Sequence, residues 1–396
     1  MGNRNLWIAA AVVAVLAIVI VVGLQQRQGD VAVGSPSPTA SRMVSASVST
    51  AAMATAAASG RPTGTQGSAL YNDLFGFVVT DIGAGASIRN ESGAAQQGLS
   101  FSAQGFAVSP DGKNIAYWTL GTSSAPQQLR TFTTLGNATE QTWVTLAAGQ
   151  RGGGIAWSGD GAGLLYSTET GNFGVGGGTN SATLDIYELA AGGRRATIET
   201  QNNTGALYRP IAWDRSANIA AAGMTGEGVF LGKYVAARIN SDGSFAVQRV
   251  DTVANDMAMG SIRASSDAKL VLGVDGSGRA RWWPIADVSA IKTAAAIGRT
   301  AALWLPGTHK IGFIGADGGF VLFQADDGSA ATPFRGVKAG STVRTFRADG
   351  TAVLLAFVPP GSTGLGSTDY TLTRLADGGS ITFQATGGLG PSVRLR

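Results

Sequence analysis

The first 24 residues are patterned unlike the rest of the chain. Leu6 to Leu24 is an unbroken run of 19 residues with no charge and one glycine. As an α-helix it spans about 28 Å, close to the ~30 Å of a bilayer core. Trp7 stands at one end, where interfacial aromatic residues sit. A cleaved leader has an apolar region of about 7–15 residues and a small-residue cleavage site. Here the run is longer and QQRQGD follows it. The pattern predicts a short cytoplasmic tail (1–5), an uncleaved transmembrane signal-anchor (6–24) and a chain that continues outside the cytoplasm. Residues 25–68 are rich in Ser, Thr, Ala, Pro and Gly, with no apolar period that could bury a core. They read as a disordered linker.

From residue 69 to 396 the pattern becomes short apolar runs between Gly, Asp and Pro turns. One phrase recurs six times: FAVSPDGKNIAYW at Asp111, IAWSGDGAGLLYS at Asp160, IAWDRSANIAAAG at Ser216, IRASSDAKLVLGV at Asp267, ALWLPGTHKIGFI at Gly307 and RTFRADGTAVLLA at Asp349. The turn positions are 49, 56, 51, 40 and 42 residues apart. Propeller blades take about 40–50 residues and four strands. Apolar residues at 3.6 spacing, which a helical solenoid would need, do not occur in these segments. Ser and Asp close turns through backbone amides, Pro110 presets φ, and Gly112 accepts positive φ. The strands after the turns are apolar at consecutive positions, as strands buried on both faces are.

A second hairpin follows each turn, for example Leu184–Leu189 with Arg194–Glu199, Tyr234–Ile239 with Phe245–Val250, and Tyr370–Leu375 with Ile381–Gln384. Two hairpins make a four-stranded blade. The fold class is therefore all-β, a single β-propeller. Leu70 to Ser92 and the last residues supply one more blade, shared by the two chain ends, which gives seven; six is the rival count. Closure by the termini removes an exposed sheet edge.

The SPDGK-type turn resembles the WD-like repeat of TolB-type β-propellers, over about residues 70–396. The match is sharp at Asp111, fair at Asp160 and Asp349, and degraded at Ser216 and Gly307, which lack the aspartate. The resemblance implies partner binding in a cell-envelope complex. Because a fold does not fix an activity, it implies no reaction.

Composition narrows the partners. The pI of 9.5 suggests a polyanion, but from residue 69 on 25 basic residues face 24 acidic ones. No basic stripe remains for nucleic acid. The chain has no cysteine, so disulfides and thiolate sites are excluded. An exported chain without disulfides points to a bacterial host.

No catalytic, cofactor or metal residue is assigned. His309, the one histidine, reads as a blade-tip turn residue. Asp111, Asp160, Asp267 and Asp349 read as turn formers. Asp251 to Asp256, Asp326-Asp327 and the glycine-rich Gly171 to Asn180 read as loops. Trp157, Trp213 and Trp304 share one repeat position and read as core. Trp282 and Trp283 must point to opposite faces of a strand; packing is the main reading, and an exposed ring for a protein or glycan contact the alternative. Three sequons, at Asn90, Asn137 and Asn202, matter only in a glycosylating host. The expected function is a membrane-tethered, extracytoplasmic binding or scaffolding module with a protein partner in the envelope. The alternative is a propeller enzyme, a hydrolase or lyase, with acidic residues at the central channel.

Overall fold

In the computed structural model the described residues are 74–395, except 82–84, 92–94, 100, 122–125, 136–138, 172–178, 191–192, 203–206, 226–232, 251–256, 258–260, 295–300, 360–367 and 386–387. The segments predicted as anchor (6–24) and linker (25–68) lie outside them. Among the described residues no helix is long and apolar enough to cross a membrane.

Seven four-stranded antiparallel sheets form the blades. In blade 1 the inner strand is Gly388–Arg394, from the end of the chain, paired with Phe75–Asp81 and then Gly85–Asn90 and Ala95–Leu99. The two ends of the domain thus close one blade, as the sequence predicts. Blades 2 to 7 run in chain order from inner strands Phe101–Val108, Gln150–Trp157, Leu207–Asp214, Arg263–Ala264, Leu303–Trp304 and Thr342–Phe346. The second hairpins fall where expected, with Lys233–Ile239 paired to Phe245–Val250 and Thr368–Arg374 to Ser380–Ala385.

The core is seven separate slabs, one at each interface between blades. Leu165, Leu184 and Ile186 of blade 3 meet Tyr208, Trp213 and Val235 of blade 4. Leu354, Tyr370 and Leu372 of blade 7 meet Phe77, Val79 and Leu389 of blade 1, which completes the ring. Each blade is therefore packed on both faces. This explains the consecutive apolar residues of the second strands, such as Leu164, Leu165 and Tyr166, all inaccessible to solvent. It also removes the alternative of an exposed ring in the Trp282-Trp283 pair. The two rings do point to opposite faces, but both faces are interfaces. Trp282 packs on Phe323 of blade 6 and Trp283 on Tyr234 of blade 4, and both are buried.

The repeated turn is a hydrogen-bonded unit. Ser109 Oγ donates to Asp111 Oδ1 (2.6 Å), while the Lys113 amide donates to the same oxygen and the Asn114 amide to Ser109 Oγ. The Ser158–Asp160 and Ser265–Asp267 turns repeat this bonding. In copy three the pair is inverted: Ser216 Oγ donates to Asp214 Oδ1. Copy five uses Pro306-Gly307, with Gly307 at φ 71°, the positive value a type II turn needs at that position.

Candidate functional site

The first turns of the blades lie at one end of the ring, and several of their charged residues are committed to structure. In Asp160, one carboxylate oxygen closes its own turn and the other accepts from Arg215 Nη1 of blade 4 at 2.6 Å. Burial would raise the Asp160 carboxyl; the bonds from Ser158, the Ala162 amide and Arg215 outweigh it and hold the group below its ordinary range. Arg347 of blade 7 makes a buried bidentate pair with Glu91 of blade 1, at 2.8 and 2.6 Å. The turn aspartates are thus turn formers, as read from sequence, and two of them are also ties between blades.

His309 sits where the sequence places it, at the turn of the fifth copy, but it is not a simple surface residue. Its Nε2 lies 3.0 Å from Asp267 Oδ2 of blade 5 and its Nδ1 3.0 Å from Asp326 Oδ1 of its own blade. Burial alone would lower its pKa; the two carboxylates overcome this and raise it. Asp267 is shifted downward: burial opposes ionisation, but Ser265, His309 and the Lys269 amide prevail. Ser266 and Thr308 also border this cavity of about 240 Å³. Ser266 Oγ accepts from the Gly307 amide, and both imidazole nitrogens are engaged. The ring has no nitrogen left to activate a nucleophile, so the arrangement works as a clamp between blades 5 and 6.

A larger cavity, about 350 Å³, opens between blades 2 and 3. Trp143, Trp157 and Leu189 form its apolar side. Asn114, Thr133, Thr139, Glu140 and Gln141 supply its polar side. Glu140 accepts from Tyr117 Oη (2.7 Å) and from Arg130 Nη1 (2.9 Å). Desolvation, followed by the Glu140 bond, pushes the Tyr117 hydroxyl up to about 12. Trp143 donates its indole N–H to Thr131 Oγ1 at 2.8 Å.

The enzyme alternative needs carboxylates converging on the channel. The inner strands of blades 4 and 5 instead carry Arg209 and Arg263. Arg263 is solvent-accessible, yet partial desolvation by the protein around it lowers its guanidinium pKa, and the Arg209 charge pushes it the same way. Among the described residues no group of three His, Asp or Glu is placed to hold a metal ion. The Asp251 to Asp256 grouping, the glycine-rich segment at 172–178 and the Asn137 sequon lie outside the described residues. Asn90 is buried, so its sequon is inaccessible in the folded ring.

No family model matches the chain, and no curated protein matches it. Similar solved structures include a puromycin hydrolase mutant complexed with PGG, 14% identical, with 84% of this chain and 57% of that one covered and a TM-score of 0.50. The oligogalacturonate lyase of Vibrio parahaemolyticus is 11% identical over 84% of this chain and 90% of its own, with a TM-score of 0.48. An oligogalacturonate lyase in complex with manganese is 13% identical over 76% and 82%, at 0.48. The likeness is one of fold. The chain is a seven-bladed β-propeller.

Sequence reasoning missed the Arg347–Glu91 pair, because Glu91 lies in no repeat copy. It also missed the cavity at Trp143. The available signal there was negative: Trp143 is a tryptophan that occupies no repeat position, so no repeated packing role accounts for it.

Proposed function

We propose that this protein is a membrane-tethered, extracytoplasmic propeller of the TolB-type WD-like class, acting as a non-enzymatic binding module in the cell envelope. Tethering is supported by the uncharged run Leu6–Leu24 and the Ser/Thr/Ala/Pro-rich linker after it. The TolB-type assignment is supported by the Ser-x-Asp turn chemistry. The binding role is carried by one observation: Asp160, Asp267 and Glu91 are tied to Arg215, His309 and Arg347 of neighbouring blades, while the cavity between blades 2 and 3 presents uncommitted polar groups. A hydrolase or lyase would need a free base or nucleophile in a cleft, and the clamped His309 does not supply one.

The test is fractionation of the full chain from a bacterial envelope, followed by in-cell cross-linking and capture. The expected result is retention in membranes after alkaline extraction, with residues 1–24 still present and a discrete cross-linked adduct. A soluble mature protein without its leader refutes tethering. Absence of any adduct under saturating cross-linking refutes the scaffolding role.

A further inference from the structure

The cavity between blades 2 and 3 has a chemistry that identifies a ligand class. Among the described residues Trp143 is the tryptophan that is not buried; the others, from Trp118 to Trp304, are all below a tenth exposed. Its ring is steadied rather than loose. The indole N–H is fixed on Thr131 Oγ1, and Tyr187 of blade 3 packs against the ring at 5.6 Å in a tilted contact. An aromatic ring held half-open over a cavity presents a rigid apolar platform at little entropic cost. Space beside it is real: a Cβ on Gly161, which lines the same cavity, would meet nothing within 4 Å.

The opposite side is lined by neutral hydrogen-bonding groups. Among the described residues the side-chain amides of Asn114 and Gln141 and the hydroxyl of Thr139 make no hydrogen bond to the protein. They offer donors and acceptors together. The one acid, Glu140, is matched by Arg130 at 2.9 Å, so the lining carries no net charge. Its volume, about 350 Å³, sits at the low end of the ~300–1,000 Å³ of small-molecule sites.

A flat apolar platform facing amides and hydroxyls, with no net charge, is complementary to a molecule with one C–H face and a rim of hydroxyls. We propose that this groove binds a neutral saccharide, one or two sugar units across, with its C–H face on Trp143 and its hydroxyls on Asn114, Thr139 and Gln141. This deepens the binding-module reading and rests on it only for the claim that the domain binds at all.

The experiment uses the full chain in nanodiscs and saturation-transfer NMR with cellobiose, maltose and N,N′-diacetylchitobiose, with a galacturonate dimer as the charged comparison. The expected result is transfer to the ring C–H protons of a neutral disaccharide, lost in Trp143→Ala and reduced at least tenfold in Asn114→Ala and Gln141→Ala. Those two amide variants keep the wild-type melting temperature, because their side chains bond nothing in the protein. They therefore test the site even if Trp143→Ala fails to fold. Transfer from none of the three sugars, equal binding of the galacturonate dimer, or binding undiminished in both amide variants overturns the proposal. If the sugars are silent while the cross-linking experiment captures a partner, the saccharide inference falls and the module reading stands.

Discussion

Removing one member of the Arg347–Glu91 pair should weaken the seam that joins the last blade to the first. The two side chains are 8% and 0% exposed and bond bidentately. The guanidinium also lies 5.3 Å from the Phe75 ring. Glu91→Ala leaves a desolvated cation without its carboxylate, a change that costs about 3–5 kcal/mol. At this domain size that lowers the melting temperature by about 5–10 °C. The full cycle is Glu91→Ala, Arg347→Ala and the double variant, read by urea denaturation and scanning fluorimetry. Because the second substitution removes a group already stranded, the double variant should lose less than the two singles together, with a coupling of about 2 kcal/mol or more. The exposed Arg374–Asp377 pair is the control, and Arg374→Ala should leave the transition in place. Single variants that each lose under about 1 kcal/mol, or a strictly additive double variant, would refute the argument that this pair holds the ring shut.

The His309 clamp makes stability depend on pH in a defined direction. Its folded pKa is raised, so its contribution is complete below the unfolded value of about 6.5 and lost as pH rises through the folded one. Asp267, shifted downward, contributes above about 3.9 and loses this as pH falls through its folded value. His309→Gln should therefore melt lower than wild type near pH 5 and merge with it in alkali, by about 0.5–1 kcal/mol at most for a partly exposed pair; a constant gap across pH sinks the idea. Gly152→Ala tests the packing of blades 2 and 3. Its Cβ would lie 2.1 Å from the Trp118 ring, and such overpacking costs about 1–3 kcal/mol or more. A variant as stable as wild type, by urea titration, would mean the interface is looser than described.

The blade count was legible because each copy carries both a turn and an apolar strand, and because LFGFVVTDI and the C-terminal residues had no other partner. The structure pairs Phe77 with Ser392 and Val79 with Leu389. What was not legible depends on which blade faces which. Two adjacent tryptophans announce opposite faces, and only the ring shows that both faces are covered. His309 announces a turn, and only the neighbouring blade brings Asp267 within 3.0 Å. The groove at Trp143 was hidden for the same reason: Asn114 and Gln141 belong to one blade and Gly161 to the next, and Trp143 and Gln141 lie outside the repeated phrase.

The degraded copies gain meaning from these contacts. A propeller made of identical repeats specifies a blade but not an order of blades or a number of them, since each interface fits every other. Here the departures from the repeat fall at interfaces. Copy three moves its aspartate to the first turn position and carries Arg215 at the second, and Arg215 reaches back to Asp160. Copy five loses its aspartate and gains His309, which reaches back to Asp267. Copy six replaces the turn serine with Arg347, which reaches forward to Glu91. The first two contacts use turn aspartates that other copies also carry, whereas Arg347 meets Glu91, an acid outside the repeat that only blade 1 supplies. A blade other than blade 1 at this seam would leave Arg347 without its carboxylate, at a cost of several kcal/mol for a pair so enclosed. The irregular sixth copy thus acts against wrong closures of the ring, and the regular ones build the blades.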